Sequence, residues 1–167
     1  MKPNRTSCAG RTPGGKAQAR ASHSNRILVV DDEIVIRLRV SDALVRSGYQ
    51  VDTAEDGEIG WKAIHSKSYD LLITDNNMPK VTGIELVKRL RSEDFALPVI
   101  LVSGAMPTQE LNRYPWLQVA ATLLKPFTGD ELLEIVKKVL RETGSTREQL
   151  EPETIWRNHP AVHSLPV

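Results

Sequence analysis

Four apolar runs along the chain break abruptly into polar residues. Ile27-Leu28-Val29-Val30 meets Asp31-Asp32-Glu33, Leu71-Leu72-Ile73-Thr74 meets Asp75-Asn76-Asn77-Met78-Pro79, Val99-Ile100-Leu101-Val102 meets Ser103-Gly104, and Leu123-Leu124 meets Lys125-Pro126-Phe127. Short apolar runs bounded by turn signals read as buried strands. Between them the period becomes helical. After the first strand (27–31), Ile36, Val40, Ala43, Leu44 and Val45 fall near one face, and Gly48 supplies a stop. Tyr49 to Ala54 alternates as a modest strand. Asp56 or Gly57 then opens a helix with Ile59, Ala63 and Ile64 inward and Trp61 partly buried at its edge. Gly83 precedes another helix, marked by Ile84, Leu86, Val87 and Leu90. Pro98 begins the fourth strand, where a proline is tolerated. Pro107 and Pro115 bracket a helix of barely two turns. Val119 to Leu124 reads as the fifth strand. Gly129-Asp130 then introduces Leu132, Leu133, Ile135, Val136, Val139 and Leu140 in a last helix ending near Gly144.

Five strands alternating with five helices predict an α/β fold, a doubly wound parallel sheet covered by helices on both faces with right-handed crossovers. In such a sheet the ligand site lies outside the C-terminal ends of the strands. Asp31, Asp32, Asp75, Ser103 and Lys125 are therefore expected in one shallow pocket.

Composition narrows this picture. With 167 residues, 40% apolar and 26% charged, the chain suits one packed domain rather than two. Cys8 is the single cysteine, which excludes an internal disulfide and a cysteine metal motif. No stretch approaches the roughly 20 apolar residues of a membrane span, and the N-terminus lacks the apolar centre of a signal peptide. A cytoplasmic location without membrane insertion is expected. The net charge of +1 hides a division: Lys2, Arg5, Arg11, Lys16, Arg20 and Arg26 occur with no acid, leaving 16 bases against 21 acids in the remainder. Residues 1–24 are expected to form a basic flexible tail, since their Gly, Ser, Ala and Pro cannot bury enough surface to order themselves. A basic tail can steer a protein toward an anionic partner or nucleic acid. Without interleaved aromatics or a binding fold, a solvated leader or a misassigned start is the favoured reading. Residues 145–167 contain Pro152, Pro160 and Pro166 and no sustained apolar period, with room for a short helix around Arg147 to Leu150 but not for an output domain.

In order, spacing and strand-end position, Val29-Val30-Asp31-Asp32-Glu33, Asp70 to Pro79 with Gly83, Val102-Ser103-Gly104 and Lys125-Pro126-Phe127 together resemble the receiver domain of bacterial two-component response regulators. The resemblance covers about residues 25–143, leaving the 1–24 tail and a 144–167 extension without an output domain. It implies a flavodoxin-like sheet of strand order 2-1-3-4-5. Asp75 would be the phosphoacceptor, attacking the phosphorus held on a donor histidine to form an acyl phosphate. Asp31, Asp32, Asp75 and the backbone carbonyl of Asn77 would bind Mg²⁺, an ion suited to oxygen ligands and retained waters. Without it, three crowded carboxylates would repel one another and the incoming phosphoryl group. Ser103 would donate a hydrogen bond to a phosphoryl oxygen. Lys125 would pair with the acids beforehand and with the phosphoryl oxygen afterwards, aimed by a cis bond to Pro126. Asn77 would lie near the path of attacking water. Read without the resemblance, the Asp31-Asp32 pair could cap a helix, a role Glu33 fits better. Ser103 could equally bond backbone at a strand end, and Lys125 could be a solvated turn residue.

One position departs from the family pattern. Tyr or Phe usually stands three residues before the lysine, and this chain has Thr122 there. The usual coupling to the surface of the fourth helix and fifth strand is thereby in doubt, while Tyr114 and Trp116 read as loop-packing aromatics. The implied function is a stand-alone phosphoacceptor that receives its phosphoryl group from a sensor histidine kinase or a histidine phosphotransfer protein. It would signal by protein contact or onward phosphotransfer to an unidentified downstream protein, with no direct DNA binding. Mg²⁺-dependent self-phosphorylation and self-dephosphorylation are expected, but not conventional metabolic catalysis. Two rivals are a phosphorylation-independent binding module and a small phosphatase with Asp75 as nucleophile. The latter lacks the second acid two residues on that protonates the leaving group.

Overall fold

The apolar runs become the middle of a parallel sheet because both of its faces are covered. A computed structural model describes residues 24–150, with side chains through Gly144. Its elements are β1 (Arg26–Val30), α1 (Ile34–Arg46), β2 (Gln50–Ala54), α2 (Gly57–Ser66), β3 (Leu71–Asp75), α3 (Gly83–Ser92), β4 (Val99–Ser103), α4 (Thr108–Arg113), a 3₁₀ turn (Pro115–Leu117), β5 (Ala121–Leu124) and α5 (Gly129–Leu150). The sheet runs β2-β1-β3-β4-β5, every pairing parallel. This is the doubly wound, flavodoxin-like order.

Alternate residues of each central strand feed opposite cores. Leu28, Val30, Leu72 and Leu101 pack with Ile64, Leu86 and Leu90 on the α2 and α3 side. Ile27, Val29, Ile73, Ile100 and Val102 pack with Val40, Leu44, Leu132 and Val136 on the α1 and α5 side. The helix ends carry their own signals. Asp56 caps α2 by accepting from the Ile59 amide at 2.8 Å, Thr82 and Glu85 form a reciprocal capping box on α3, and Gly48 takes φ 89° in the turn after α1.

Several expectations need correction. Val45 is 55% exposed, so the inward face of α1 is carried by Val40 and Leu44. Ile59 is also exposed, and the inward face of α2 consists of Gly57, Gly60 and Ile64. The cause is close approach, since a Cβ on Gly60 would lie 2.9 Å from Val30 Cγ2. Pro98 precedes β4 rather than opening it, and its carbonyl accepts from Leu72 N at 3.0 Å. Val119 falls outside β5. Gly144 does not end α5, which continues to Leu150 and absorbs the separate short helix expected near Arg147. An interior glycine costs a helix about 1 kcal/mol relative to alanine, which weakens but does not forbid continuation. The short α4 between its prolines is as expected. Among the described residues no helix is long and apolar enough to cross a membrane. Cys8, the basic tail to residue 23 and the extension beyond 150 lie outside the described residues.

Candidate functional site

Register brings the polar strand ends together. Thr74 stands opposite Val30, Asp75 opposite Val102, and Leu124 opposite Ser103, so the next residues emerge along one edge. Backbone bonds extend the ladder past the strands: Asp31 N to Ala54 O at 3.2 Å, Asn76 N to Val102 O at 2.8 Å, and Lys125 N to Ser103 O at 2.9 Å. The loop after β3 folds tightly over the edge. A Cβ on Gly83 would collide with the Asp75 carbonyl oxygen and lie 2.9 Å from Leu101 Cδ1, so only glycine fits there. Met78 and Val81 anchor that loop in the core.

Lys125 is the centre of the charged cluster. Its Nζ lies 2.9 Å from Asp75 Oδ1, 3.1 Å from Asp31 Oδ2 and 3.5 Å from Glu33 Oε1. Asp75 Oδ2 accepts from Asn77 N at 2.8 Å, and Asp31 Oδ1 accepts from Glu33 N at 2.8 Å. Asp75 Oδ1 is different. It is buried, and its partner is the Lys125 ammonium rather than a backbone amide. Burial pushes the Asp31 carboxyl above its usual range, against the opposing pull of the Glu33 amide and Lys125. Burial acts to lower Lys125, but hydrogen bonding to Asp75 and Asp31 prevails and raises it, which keeps the ammonium charged.

The other expected residues take distinct places. Asp32 is exposed and is not among the carboxylates against Lys125. Ser103 is buried at the end of β4, where its hydroxyl accepts a long 3.4 Å contact from Ala105 N. Asn77 is exposed in the loop and Thr122 is half-buried on β5. The Lys125-Pro126 bond is cis. Two neighbours escaped the sequence reading. Glu33, which could have served as a helix cap, makes no side-chain cap bond and instead faces Lys125. Arg37, one turn into α1, donates from Nη1 to the Asp31 carbonyl. Their signal was an acid adjoining the Asp pair and a base one helical turn later.

The donor set is suited to a hard cation. It offers only oxygens, among them the buried Asp75 Oδ1, whose present partner is the Lys125 ammonium. Among the described residues no three Asp, Glu, His or Cys side chains are already gathered as a metal cage.

Fold and site together define a doubly wound α/β protein with an acidic, lysine-bearing edge at the strand C-termini. Residues 27–137 match the family model for the response regulator receiver domain, and the chain belongs to that family of two-component signalling proteins. The alkaline phosphatase synthesis transcriptional regulatory protein PhoP of Bacillus subtilis is 35% identical over 122 residues, 72% of this chain and 50% of PhoP. The phosphate regulon transcriptional regulatory protein PhoB of Pseudomonas aeruginosa is 34% identical over 120 residues, 71% of this chain and 52% of its own. The chain thus spans about half the length of these curated relatives. Among solved structures, the chemotaxis response regulator CheY4 of Vibrio cholerae superposes with TM-score 0.64 at 32% identity, covering 70% of this chain and 98% of CheY4. The response regulator TrrA of Thermotoga maritima, solved in complex with Mg²⁺-BeF, gives 0.62 at 36% identity, covering 69% and 98%.

Proposed function

We propose that Asp75 accepts a phosphoryl group from a phosphohistidine on a sensor histidine kinase or histidine phosphotransfer protein, and that the phosphorylated chain signals by protein contact or onward phosphotransfer in the cytoplasm. The observation that carries this reading is Asp75 itself, a buried carboxylate at the strand edge whose Oδ1 pairs with the Lys125 ammonium at 2.9 Å while Oδ2 accepts from the Asn77 amide at 2.8 Å. Asn77 N fixes Oδ2 and so orients the group, while the partner of Oδ1 is a mobile lysine ammonium that a phosphoryl oxygen can take over.

In the transfer, an Asp75 oxygen forms the new O–P bond as the N–P bond of the donor histidine breaks, and the imidazole leaves with that electron pair. Asp31, Asp32, Asp75 and the Asn77 carbonyl would hold Mg²⁺. When bound, it supplies positive charge against the phosphoryl oxygens. Lys125 neutralises Asp75 and Asp31 at rest and would swing its ammonium to pair with a phosphoryl oxygen once Asp75 carries the acyl phosphate. Ser103 sits one residue beyond Val102, the register partner of Asp75, where its hydroxyl turns from the weak Ala105 contact to donate to the same group.

Intact-mass measurement after incubation with acetyl phosphate and Mg²⁺ tests the assignment. The protein should gain one hydroxylamine-labile phosphoryl group, and Asp75→Ala should gain none. Lys125→Gln should slow incorporation about 10²-fold, the usual cost of losing one charge-stabilising donor. Undiminished labelling of Asp75→Ala would refute the reading.

A further inference from the structure

Glu33 occupies the N-cap position of α1, where an acid is expected to bond the first free amides of the helix. It does not do so. Its own amide is taken by Asp31 Oδ1 at 2.8 Å, and its carboxylate stands 3.5 Å from Lys125 Nζ. An ammonium has three N–H directions, and at this site three carboxylates converge on it. Asp31 and Asp75 are almost wholly buried, whereas the Glu33 side chain is 62% exposed at the mouth. Glu33 is thus the one member of the trio that an approaching phosphodonor meets first and that can swing clear without burying a charge.

The surrounding charges make this outer carboxylate count. Asp31, Asp32, Glu33 and Asp75 set four negative charges against the two positive charges of Lys125 and Arg37. Arg37 is committed to the Asp31 carbonyl, so Lys125 is the cation that must serve the phosphoryl group. Resting on the reading of Asp75 as acceptor, we infer that Glu33 is a positioning and specificity-determining residue: it holds the Lys125 ammonium at the rim and selects against free, doubly charged phosphodonors.

The argument is electrostatic, so the test varies donor charge. Acetyl phosphate is a dianion at pH 7, and phosphoramidate carries one negative charge fewer. A unit charge at the mouth should act on them in proportion to that charge. Glu33→Gln should raise the second-order rate constant for labelling about tenfold with acetyl phosphate and about threefold with phosphoramidate. Both gains should shrink as ionic strength rises. Glu33→Asp, which keeps the charge, should behave like the unaltered protein. A purely structural role would move both donors equally and would not respond to salt. In the absence of donor and Mg²⁺, the Lys125 ammonium resonance should exchange with solvent faster in Glu33→Gln, which reads the positioning apart from the chemistry.

Equal effects on the two donors, an unchanged rate, or no labelling of either protein by either donor would overturn the inference. Labelling that persists in Asp75→Ala would instead remove the acceptor assignment on which it rests. Because Glu33 is exposed and makes no cap bond, its replacement leaves the fold intact.

Discussion

Two aspartates on the same sheet are placed among cations, and one is far more densely bonded than the other. Asp52 on β2 accepts from Arg26 Nη1 at 3.0 Å, from Lys67 Nζ at 3.2 and 3.3 Å, and from the Tyr69 hydroxyl at 3.0 Å, so both of its oxygens are engaged. Burial acts to raise its carboxyl, and the bonds from Tyr69, Lys67 and Arg26 outweigh burial and hold it below the ordinary range. Asp75 is more deeply buried, with a single amide on Oδ2 and only the Lys125 ion pair on Oδ1. A buried carboxylate with few partners is costly in the folded state. The fold tolerates that cost at the C-terminal edge of the sheet and avoids it at the Asp52 cluster. Dense bonding makes the Asp52 cluster a structural clasp, while the sparser set at Asp75 leaves its charge dependent on one lysine.

The most direct way to break this comparison is to neutralise each acid in turn. Asp52→Asn should lower stability by about 1–2 kcal/mol, because it weakens bonds from two cations and a tyrosine. Asp75→Asn should raise stability by about 1 kcal/mol while abolishing phosphorylation. It removes a buried charge that repels Asp31, and Lys125 keeps Asp31 and Glu33 as partners. Urea unfolding of the two variants beside the unaltered protein gives both signs. Destabilisation by both would show that Asp75 is as structural as Asp52.

A pH-dependent effect sharpens the Asp52 side. Burial, reinforced by the hydrogen bond to Asp52, pushes the Tyr69 hydroxyl from 10.0 up to about 12. The raised value means that the folded protein holds this proton after the unfolded chain has lost it. Stability is therefore fully present below the unfolded value near 10 and is lost as pH rises toward about 12. The loss should be about 1–2 kcal/mol, discounted for the partial exposure of the cluster. Urea midpoints between pH 9 and 12 for the protein and for Tyr69→Phe isolate this contribution, since other titrating groups are common to both. Parallel pH profiles would remove Tyr69 from the clasp.

These regions were not equally legible in the amino-acid sequence. β1, β3 and β4 announce themselves because a doubly covered parallel strand is apolar at every position, and the first polar residue after each run marks the edge of the sheet. Asp31, Asp75 and Ser103 were readable for that reason, while Lys125 follows the less buried edge strand β5 and was marked by the break into Lys125-Pro126-Phe127. The misplaced residues depend on distances between elements. Ile59 fits a helical period, yet the approach of α2 to Val30 turns Gly60 inward instead. Glu33 stands where a cap could form, and only the fold shows that its carboxylate turns to Lys125 instead. The Asp52 clasp joins residues from β1, β2, the end of α2 and the segment before β3, a convergence that only topology reveals.

The smallest expected effect lies in how far a change at Asp75 travels. Thr122 stands opposite Leu101 in the β4–β5 register, on the side of the sheet that holds Leu117. The aromatic that the family usually places here is absent, and the neighbouring ring is otherwise engaged. Tyr114 lies under Lys88 Nζ at 3.9 Å and meets the Trp116 ring edge-on at 6.1 Å, which ties it to α3. A cation–π contact of this kind is worth about 0.5–1 kcal/mol, enough to favour the resting placement of the ring. Thr122 cannot fill and empty a cavity of ring size, so little free energy is available to couple Ser103 and Lys125 to residues 107–122. Beryllofluoride with Mg²⁺ should shift amides around Asp75, Ser103 and Lys125 and leave residues 107–122 nearly unmoved, and Thr122→Tyr should spread the shifts into that segment. Broad shifts over 107–122 in the unaltered protein, unchanged by the substitution, would show that the response crosses β5 without a ring.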